Sequence, residues 1–364
     1  SQKRSRQEIL EDMALARPMH RLLQGDVGSG KTVVAAFAVA ASVQGGYQAA
    51  LMAPTEILAE QHFTTLKSLL EPVGISVGLL TGGVQDEERV ALLSGTQQGR
   101  VQLLVGTHAL LTKSVVFENL GLVIIDEQHK FGVQQRATLR GKGKSPDVLV
   151  MTATPIPRTL ALTLYGDLDI SFITELPPGR RLAKTSWVER SKRKQVYQMV
   201  KGHLDQGRQA FAVCPRIGPV QARAKGQDDL FEAETEDPKV ATKVFEYFRD
   251  KVFSGYRVGL LHGRLSSDEK EQVMRAFKKG EIQILVSTQV IEVGIDVSNA
   301  TVMLIEQADK FGLSQLHQLR GRVGRGEHAS FCIAVADPGT EVAKERLEAF
   351  TKTSDGFKIA EADL

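Results

Sequence analysis

Gly25-Asp26-Val27-Gly28-Ser29-Gly30-Lys31-Thr32 matches Gly-x-x-x-x-Gly-Lys-Ser/Thr at every fixed position. In such a P-loop the glycines let backbone N–H groups close on the α- and β-phosphates of a nucleotide. Lys31 reaches the β- and γ-phosphates, and the Thr32 hydroxyl is placed to ligate Mg²⁺. The segment Arg21-Leu22-Leu23-Gln24 enters the loop and a helix-forming run over 33–42 leaves it. Phosphates would then sit at a helix N-terminus, where unpaired N–H groups and the helix dipole favour anions. The competing reading, a glycine-rich turn that happens to contain lysine, accounts for neither the flanking elements nor the threonine in register.

At 364 residues the chain is long for one core, so two domains are expected. A composition of 42% hydrophobic and 24% charged residues describes a soluble globular protein. No apolar run approaches the roughly 18–20 residues that span a bilayer. The basic start, Ser1-Gln2-Lys3-Arg4-Ser5-Arg6, is followed by Glu8, Glu11 and Asp12 rather than an apolar stretch, unlike a signal peptide. Cys214 and Cys332 sit in apolar runs with no Cys or His at metal-ligand spacing, so they read as core residues of a cytoplasmic protein without structural zinc. The net charge of +3 is nearly balanced, so any nucleic-acid footprint must be local.

Short apolar, β-branched runs alternate with helical patterns. Strands are expected over 49–53, 101–106, 122–126 and 148–152 in the first half, and over 210–214, 258–261, 282–287, 301–305 and 331–336 in the second. Continuous rather than alternating hydrophobicity indicates strands buried on both faces, as in parallel α/β sheets. Leu176-Pro177-Pro178-Gly179-Arg180-Arg181 breaks both helix and strand and marks the boundary between an N-terminal domain, 1–176, and a second domain, 177–338. The acidic stretch 217–239 reads as a solvated loop inserted in the second domain. Residues 339–364 look helical and stop without a terminator, the pattern expected of a chain cut from something longer.

Leu122-Val123-Ile124-Ile125-Asp126-Glu127 is a buried strand ending in two carboxylates. At the carboxyl end of such a strand they lie beside the P-loop. Asp126 would hold Mg²⁺, and Glu127 would orient and deprotonate the water that attacks the γ-phosphate. Thr55, Thr107, Thr152 and Thr154, with Ser287 and Thr288, follow or end other strands. Each alone could be ordinary helix capping, but as a set they exceed what capping requires. Gln318-Leu319-Arg320-Gly321-Arg322-Val323-Gly324-Arg325 places Arg322 and Arg325 three apart. On one helical face they would converge on a triphosphate as arginine fingers supplied from the opposite domain.

In this order the segments resemble the superfamily-two helicase core. Gln24 to Thr32, Asp126-Glu127-Gln128-His129-Lys130-Phe131-Gly132 and Val290-Ile291-Glu292-Val293-Gly294-Ile295-Asp296-Val297 narrow the resemblance to the RecG family of bacterial branched-DNA helicases, from Gln2 to Leu364. The resemblance implies two tandem RecA-like α/β domains with parallel sheets, binding ATP and Mg²⁺, and the start of a helical coupling hairpin over 346–364. It implies that Gln2 contacts adenine and that Gly28, Ser29, Gly30, Lys31 and Thr32 bind the phosphates. Gln128, His129, Thr152 and Thr154 would couple hydrolysis to motion. Thr55, Thr107, Ser287 and Thr288 would touch the DNA backbone, Glu292 and Asp296 would line the domain interface, and Gln318, Arg322 and Arg325 would complete the ATP site. The implied partners are forks and Holliday junctions, with no membrane. A monomeric motor that contacts single-stranded-DNA-binding protein, in the bacterial cytoplasm at the nucleoid, is also implied. The family's wedge domain and the far end of its coupling hairpin have no counterpart in this sequence, and Lys130 replaces the usual arginine. A transcription-repair coupling translocase and a nucleotide-dependent switch that does not move on DNA are the alternatives. Gln128 disfavours the first, and Glu127 with the two arginines disfavours the second.

Overall fold

A strand such as Leu122-Val123-Ile124-Ile125 carries apolar side chains on both faces, so helices must cover it on both sides. The computed structural model describes residues 1–127, 131–153, 168–175, 182–215, 238–263, 265–288 and 297–363, and shows that arrangement twice. The chain divides into Ser1–Pro177 and Pro178–Leu364. The first unit runs α1 (Gln2–Met13), β1 (His20–Gly25), α2 (Lys31–Gln44), β2 (Gln48–Met52), α3 (Glu56–Leu70), β3 (Val77–Leu80), α4 (Asp86–Gln97), β4 (Leu103–Gly106), β5 (Leu120–Asp126), α5 (Val133–Arg140), β6 (Asp147–Thr152) and β7 (Asp169–Ile173). The second runs β8 (Lys184–Val188), α6 (Arg193–Asp205), β9 (Gln209–Cys214), α7 (Pro238–Tyr247), β10 (Val258–Leu261), α8 (Ser267–Lys278), β11 (Ile284–Thr288), β12 (Ala300–Glu306), α9 (Leu313–Arg320), β13 (Phe331–Val335), α10 (Glu341–Lys352) and α11 (Gly356–Ala362).

The seven strands of the first sheet lie in the order β3-β4-β2-β5-β6-β1-β7 and the six of the second in the order β10-β11-β9-β12-β13-β8. Every pairing is parallel. From β3 to β1 the first order matches the second from β10 to β8, with β5 and β12 in the same central place, and β7 is an added edge strand without a counterpart. All nine expected strands are present, shifted by up to two residues at their ends. β3, β7 and β8 were not foreseen, and all three are edge strands. Asp-Ile-Ser-Phe-Ile of β7 and Lys-Thr-Ser-Trp-Val of β8 alternate or are polar because an edge strand is covered less completely.

The likeness extends to side chains that the sequence alone did not single out. Gln48, first in β2, is buried and donates through Nε2 to the carbonyls of Thr96 and Val101 at 2.8 and 2.7 Å. Its Oε1 accepts the backbone N–H groups of Glu118 and Asn119. Gln209, first in β9, donates to the carbonyls of Phe277 and Ile282 and accepts from Asn299 Nδ2. Asn119 and Asn299 in turn donate to the carbonyls of Gly46 and Gly207, both with positive φ. These glutamines satisfy loop backbone at the amino edge of each sheet, where a buried unpaired group would cost about 1–3 kcal/mol.

The cores differ in kind. Phe211, Phe248, Phe253, Phe277, Phe311 and Phe350 of the second unit are fully buried, and Tyr197 meets Phe248 and Phe253 edge-on at centroid distances of 5.7 and 5.8 Å. Around β2 and β5 the first unit is packed chiefly with aliphatic side chains such as Leu80, Leu104, Val123 and Ile125. Cys214 and Cys332 are buried and unbridged, and burial pushes the Cys332 thiol up to about 12. No helix among the described residues is long and apolar enough to cross a membrane.

Candidate nucleotide-hydrolysis site

Register brings the reactive strand ends together. Gln24 at the end of β1 pairs with Thr152 of β6, and Asp126 of β5 pairs with Met151 of the same strand. The P-loop, the two carboxylates and Thr152 therefore share the carboxyl edge of the first sheet, where open α/β folds bind ligands.

Gly28 and Gly30 have φ of 74° and 95°, a region glycine enters without a Cβ clash. Gly30 caps α2, so the turn aims the helix N-terminus at the edge. Lys31 Nζ donates to the carbonyls of Gly25 at 2.7 Å and Asp26 at 3.1 Å, which holds the ammonium over the loop. The Ser29 hydroxyl is buried with no hydrogen-bond partner among the described residues. Gln2, in the first turn of α1, donates through Nε2 to the Ser29 carbonyl at 2.6 Å. A Cβ on Gly30 would lie 2.2 Å from that nitrogen, so a side chain there would displace the Gln2 amide, while the φ of 95° is what favours glycine. Buried Arg21 holds α1 in place through Asp12 at 2.7 Å and Ser171 at 2.9 Å.

Glu127 has φ 50°, a left-handed conformation that costs a non-glycine residue roughly 1–3 kcal/mol. Three contacts fix it. Its N–H donates to the Met151 carbonyl at 2.9 Å, and its carboxylate accepts the Thr152 hydroxyl at 3.2 Å and the Ala153 N–H at 3.3 Å. The turn swings the carboxylate off the strand line toward β6. Burial opposes ionisation of the neighbouring Asp126. The His62 hydrogen bond and charge, the Lys31 charge and the Glu127 backbone N–H outweigh it, so the carboxyl stays below its ordinary range.

His62 is the residue that sequence reasoning missed. It lies on α3, is buried, and its Nε2 is 2.8 Å from Asp126 Oδ2. A signal was available: His62 continues the buried stripe of Leu58, Leu66 and Leu70, and a polar residue on such a stripe needs a partner.

In the second unit β12 ends in Glu306-Gln307, where β5 ends in Asp126-Glu127. Gln307 also has positive φ, 48°. Fully buried Glu306 accepts the Tyr197 hydroxyl at 2.6 Å, with Arg193 Nε 3.5 Å away. Burial dominates there and pushes the carboxyl up. After each motif the sequences run in parallel, Lys130-Phe131-Gly132 to Leu139-Arg140-Gly141-Lys142 and Lys310-Phe311-Gly312 to Leu319-Arg320-Gly321-Arg322. The N–H groups of Gly132 and Gly312 donate to Gln135 and Gln315 in the same way.

Residues 1–163 match the DEAD/DEAH box helicase family and residues 192–327 match the helicase conserved C-terminal domain. Over all 364 residues the chain is 52% identical to the ATP-dependent DNA helicase RecG of Bacillus subtilis and 49% identical to that of Thermotoga maritima, covering 52% and 45% of those proteins. A solved structure of RecG bound to a three-way DNA junction matches the whole chain at 46% identity and a TM-score of 0.85, and the chain covers 46% of it. Over its whole length the chain is similar to RecG proteins. It spans about half the length of the curated relatives it matches. The fold is that of tandem RecA-like helicase domains. Yeast Dbp5 bound to RNA and ADP BeF3 shares that fold at a TM-score of 0.64 and 17% identity.

Three readings need correction. Arg322 and Arg325 do not share a helical face: α9 ends at Arg320, Gly321 caps it, and Gly324 turns with φ 81°. The glycines that set the segment apart from a plain surface helix also end the helix. Thr107 and Ser287 are buried, so neither hydroxyl is offered to a DNA backbone in this conformation. Thr55 caps α3 with its side chain accepting from the Leu58 N–H at 3.4 Å. Gln318 is half-buried on α9, and Arg325 Nε donates to the Gly321 carbonyl. Gln128, His129, Thr154, Glu292 and Asp296, the Thr288 side chain and most of the acidic stretch lie outside the described residues.

Proposed function

We propose that this chain is the motor core of an ATP-dependent DNA helicase that moves on double-stranded DNA and remodels forks and Holliday junctions in the bacterial cytoplasm. The observation that carries the reading is the pairing of the P-loop lysine with a fixed carboxylate dyad on one sheet edge. Lys31 and Asp126 interact electrostatically, and Glu127 is held by Thr152 and Ala153. A phosphate-binding loop alone serves any nucleotide protein. A second carboxylate constrained in a strained turn serves hydrolysis.

The residues fit a magnesium nucleotide. Positive-φ glycines form the cradle, Lys31 and the α2 N-terminus supply positive charge, and Asp126 is held ionised. Thr32 and Asp126 would hold Mg²⁺, which neutralises charge on the phosphates when bound. Glu127 accepts a proton from water as the water oxygen bonds to the γ-phosphorus and the bond to the ADP oxygen breaks. Arg322 and Arg325 add positive charge to that transition state. Gln2 reads the adenine end, and its hydrogen bond to Ser29 ties that reading to the loop.

DNA contacts in a motor of this kind go mainly to phosphates, carry no sequence information and weaken with salt. With a net charge of +3, this chain alone should bind DNA weakly and distinguish junctions from duplex poorly. The test is ATPase activity with single-stranded, duplex and three-way junction DNA, beside Lys31→Ala. Turnover should rise with duplex-containing DNA and vanish in the variant. Turnover indifferent to all three DNAs would support the switch that does not move on DNA.

A further inference from the structure

We propose that His62 is a positioning residue for magnesium, orienting the Asp126 carboxylate from α3. The inference rests on the reading of Asp126 as a magnesium ligand. His62 Nε2 lies 2.8 Å from Asp126 Oδ2, and both side chains are about nine-tenths buried. A carboxylate at a strand end can rotate about its terminal bond, and a donor on one oxygen stops that rotation. Partners that orient a ligand in this way typically change metal affinity or activity about 10–100-fold when removed.

The packing makes α3 a rigid carrier for the imidazole. Leu58, Leu66 and Leu70 bury the same stripe, and Glu56 at the helix start accepts the Gly82 N–H at 2.6 Å. His62 is thus held from a different element than either the P-loop or β5. In the second unit the corresponding carboxylate, Glu306, has Tyr197 as its donor, from the helix after the sheet's β8 rather than from the helix after β9. The imidazole accompanies the unit that carries the P-loop.

Affinity for a fluorescent ATP analogue, measured with and without excess Mg²⁺, isolates the effect as a ratio. Magnesium should tighten binding in the parent protein. In His62→Ala that gain should fall about 10–100-fold, with magnesium-free affinity unchanged. His62→Gln keeps an N–H donor and should recover part of the gain. His62→Leu should lose it and separates loss of the donor from loss of packing, which thermal melting would register for the alanine variant. A full magnesium gain in both His62→Ala and His62→Leu overturns the inference. If Asp126→Asn keeps the full gain too, the assignment of magnesium to Asp126 falls first and takes the inference with it.

Discussion

The ends of β5 and β12 occupy one position in the strand order that the two sheets share, and each carries a buried carboxylate followed by a residue in left-handed conformation. At β5 a histidine, a lysine and a backbone N–H keep Asp126 ionised against its burial. At β12 burial wins, and Glu306 is pushed up despite a tyrosine hydroxyl and a nearby arginine. The backbone is repeated, yet the chemistry is not. Topology delivers a carboxylate to the edge, and the side chains packed against it decide whether it stays charged for reaction or becomes part of the core.

The contrast between a reactive and a silent edge would be sharpened most by the arginines that follow α9. Arg322→Ala and Arg325→Ala should each lower ATP turnover by about 10³–10⁵, the usual loss for an arginine finger. Lys142, the counterpart of Arg322, donates to the carbonyls of Thr112 and Val115, both at 2.8 Å. Lys142→Ala should therefore lower the melting temperature and leave turnover near parental. Unchanged turnover in both arginine variants would make the second unit silent throughout.

Glu127→Gln gives the first edge the residue that the second already has at Gln307. It should retain ATP binding and lose about 10²–10⁴ in single-turnover hydrolysis, the range for a lost general base. Near-parental hydrolysis would remove the chemical distinction between the edges. At the opposite edge the units should respond alike. Gln48→Ala removes hydrogen bonds to four backbone groups and Gln209→Ala to two, and each should destabilise its unit by about 1–3 kcal/mol in denaturant unfolding. A large effect in one and none in the other would show that the repeated corners do different work.

The smallest effect is expected at Glu306. Its folded value is raised, so the stability it contributes is full below the ordinary carboxylate range and is lost as pH rises through the raised value. Glu306→Gln should flatten that decline and change stability at neutral pH by no more than about 1 kcal/mol, since replacing buried charge is often neutral or favourable. Melting curves from acid to neutral pH would check the slope.

The P-loop, both carboxylates and the central strands were legible because each follows from local pattern: a fixed glycine spacing, or an unbroken apolar run. The edge strands β7 and β8 escaped because partial exposure lets polar residues into them, as in Lys184-Thr185-Ser186 of β8, and the third, β3, is only four residues long. His62 escaped because it stands 64 residues from Asp126 and only packing brings the two together. The arginine segment was misread in form rather than in composition, since spacing of three suits a helix and only the glycines told otherwise. The repeated glutamine corners escaped because a glutamine starting a strand looks like any polar flank until the loop groups it bonds are seen, four backbone groups for Gln48 and two carbonyls with the Asn299 amide for Gln209.

The left-handed turn at Glu127 sets durability against turnover. Glycine would adopt that φ without a Cβ clash and relieve part of the roughly 1–3 kcal/mol of strain. It would also delete the carboxylate that Thr152 and Ala153 hold. Selection for a tougher protein alone would drive this position to glycine and leave a well-folded protein that binds nucleotide and stalls. Gln307 holds the same angle without glycine at the silent edge, so the turn belongs to the repeated fold, and what Glu127 adds to it is the carboxylate held by Thr152 and Ala153.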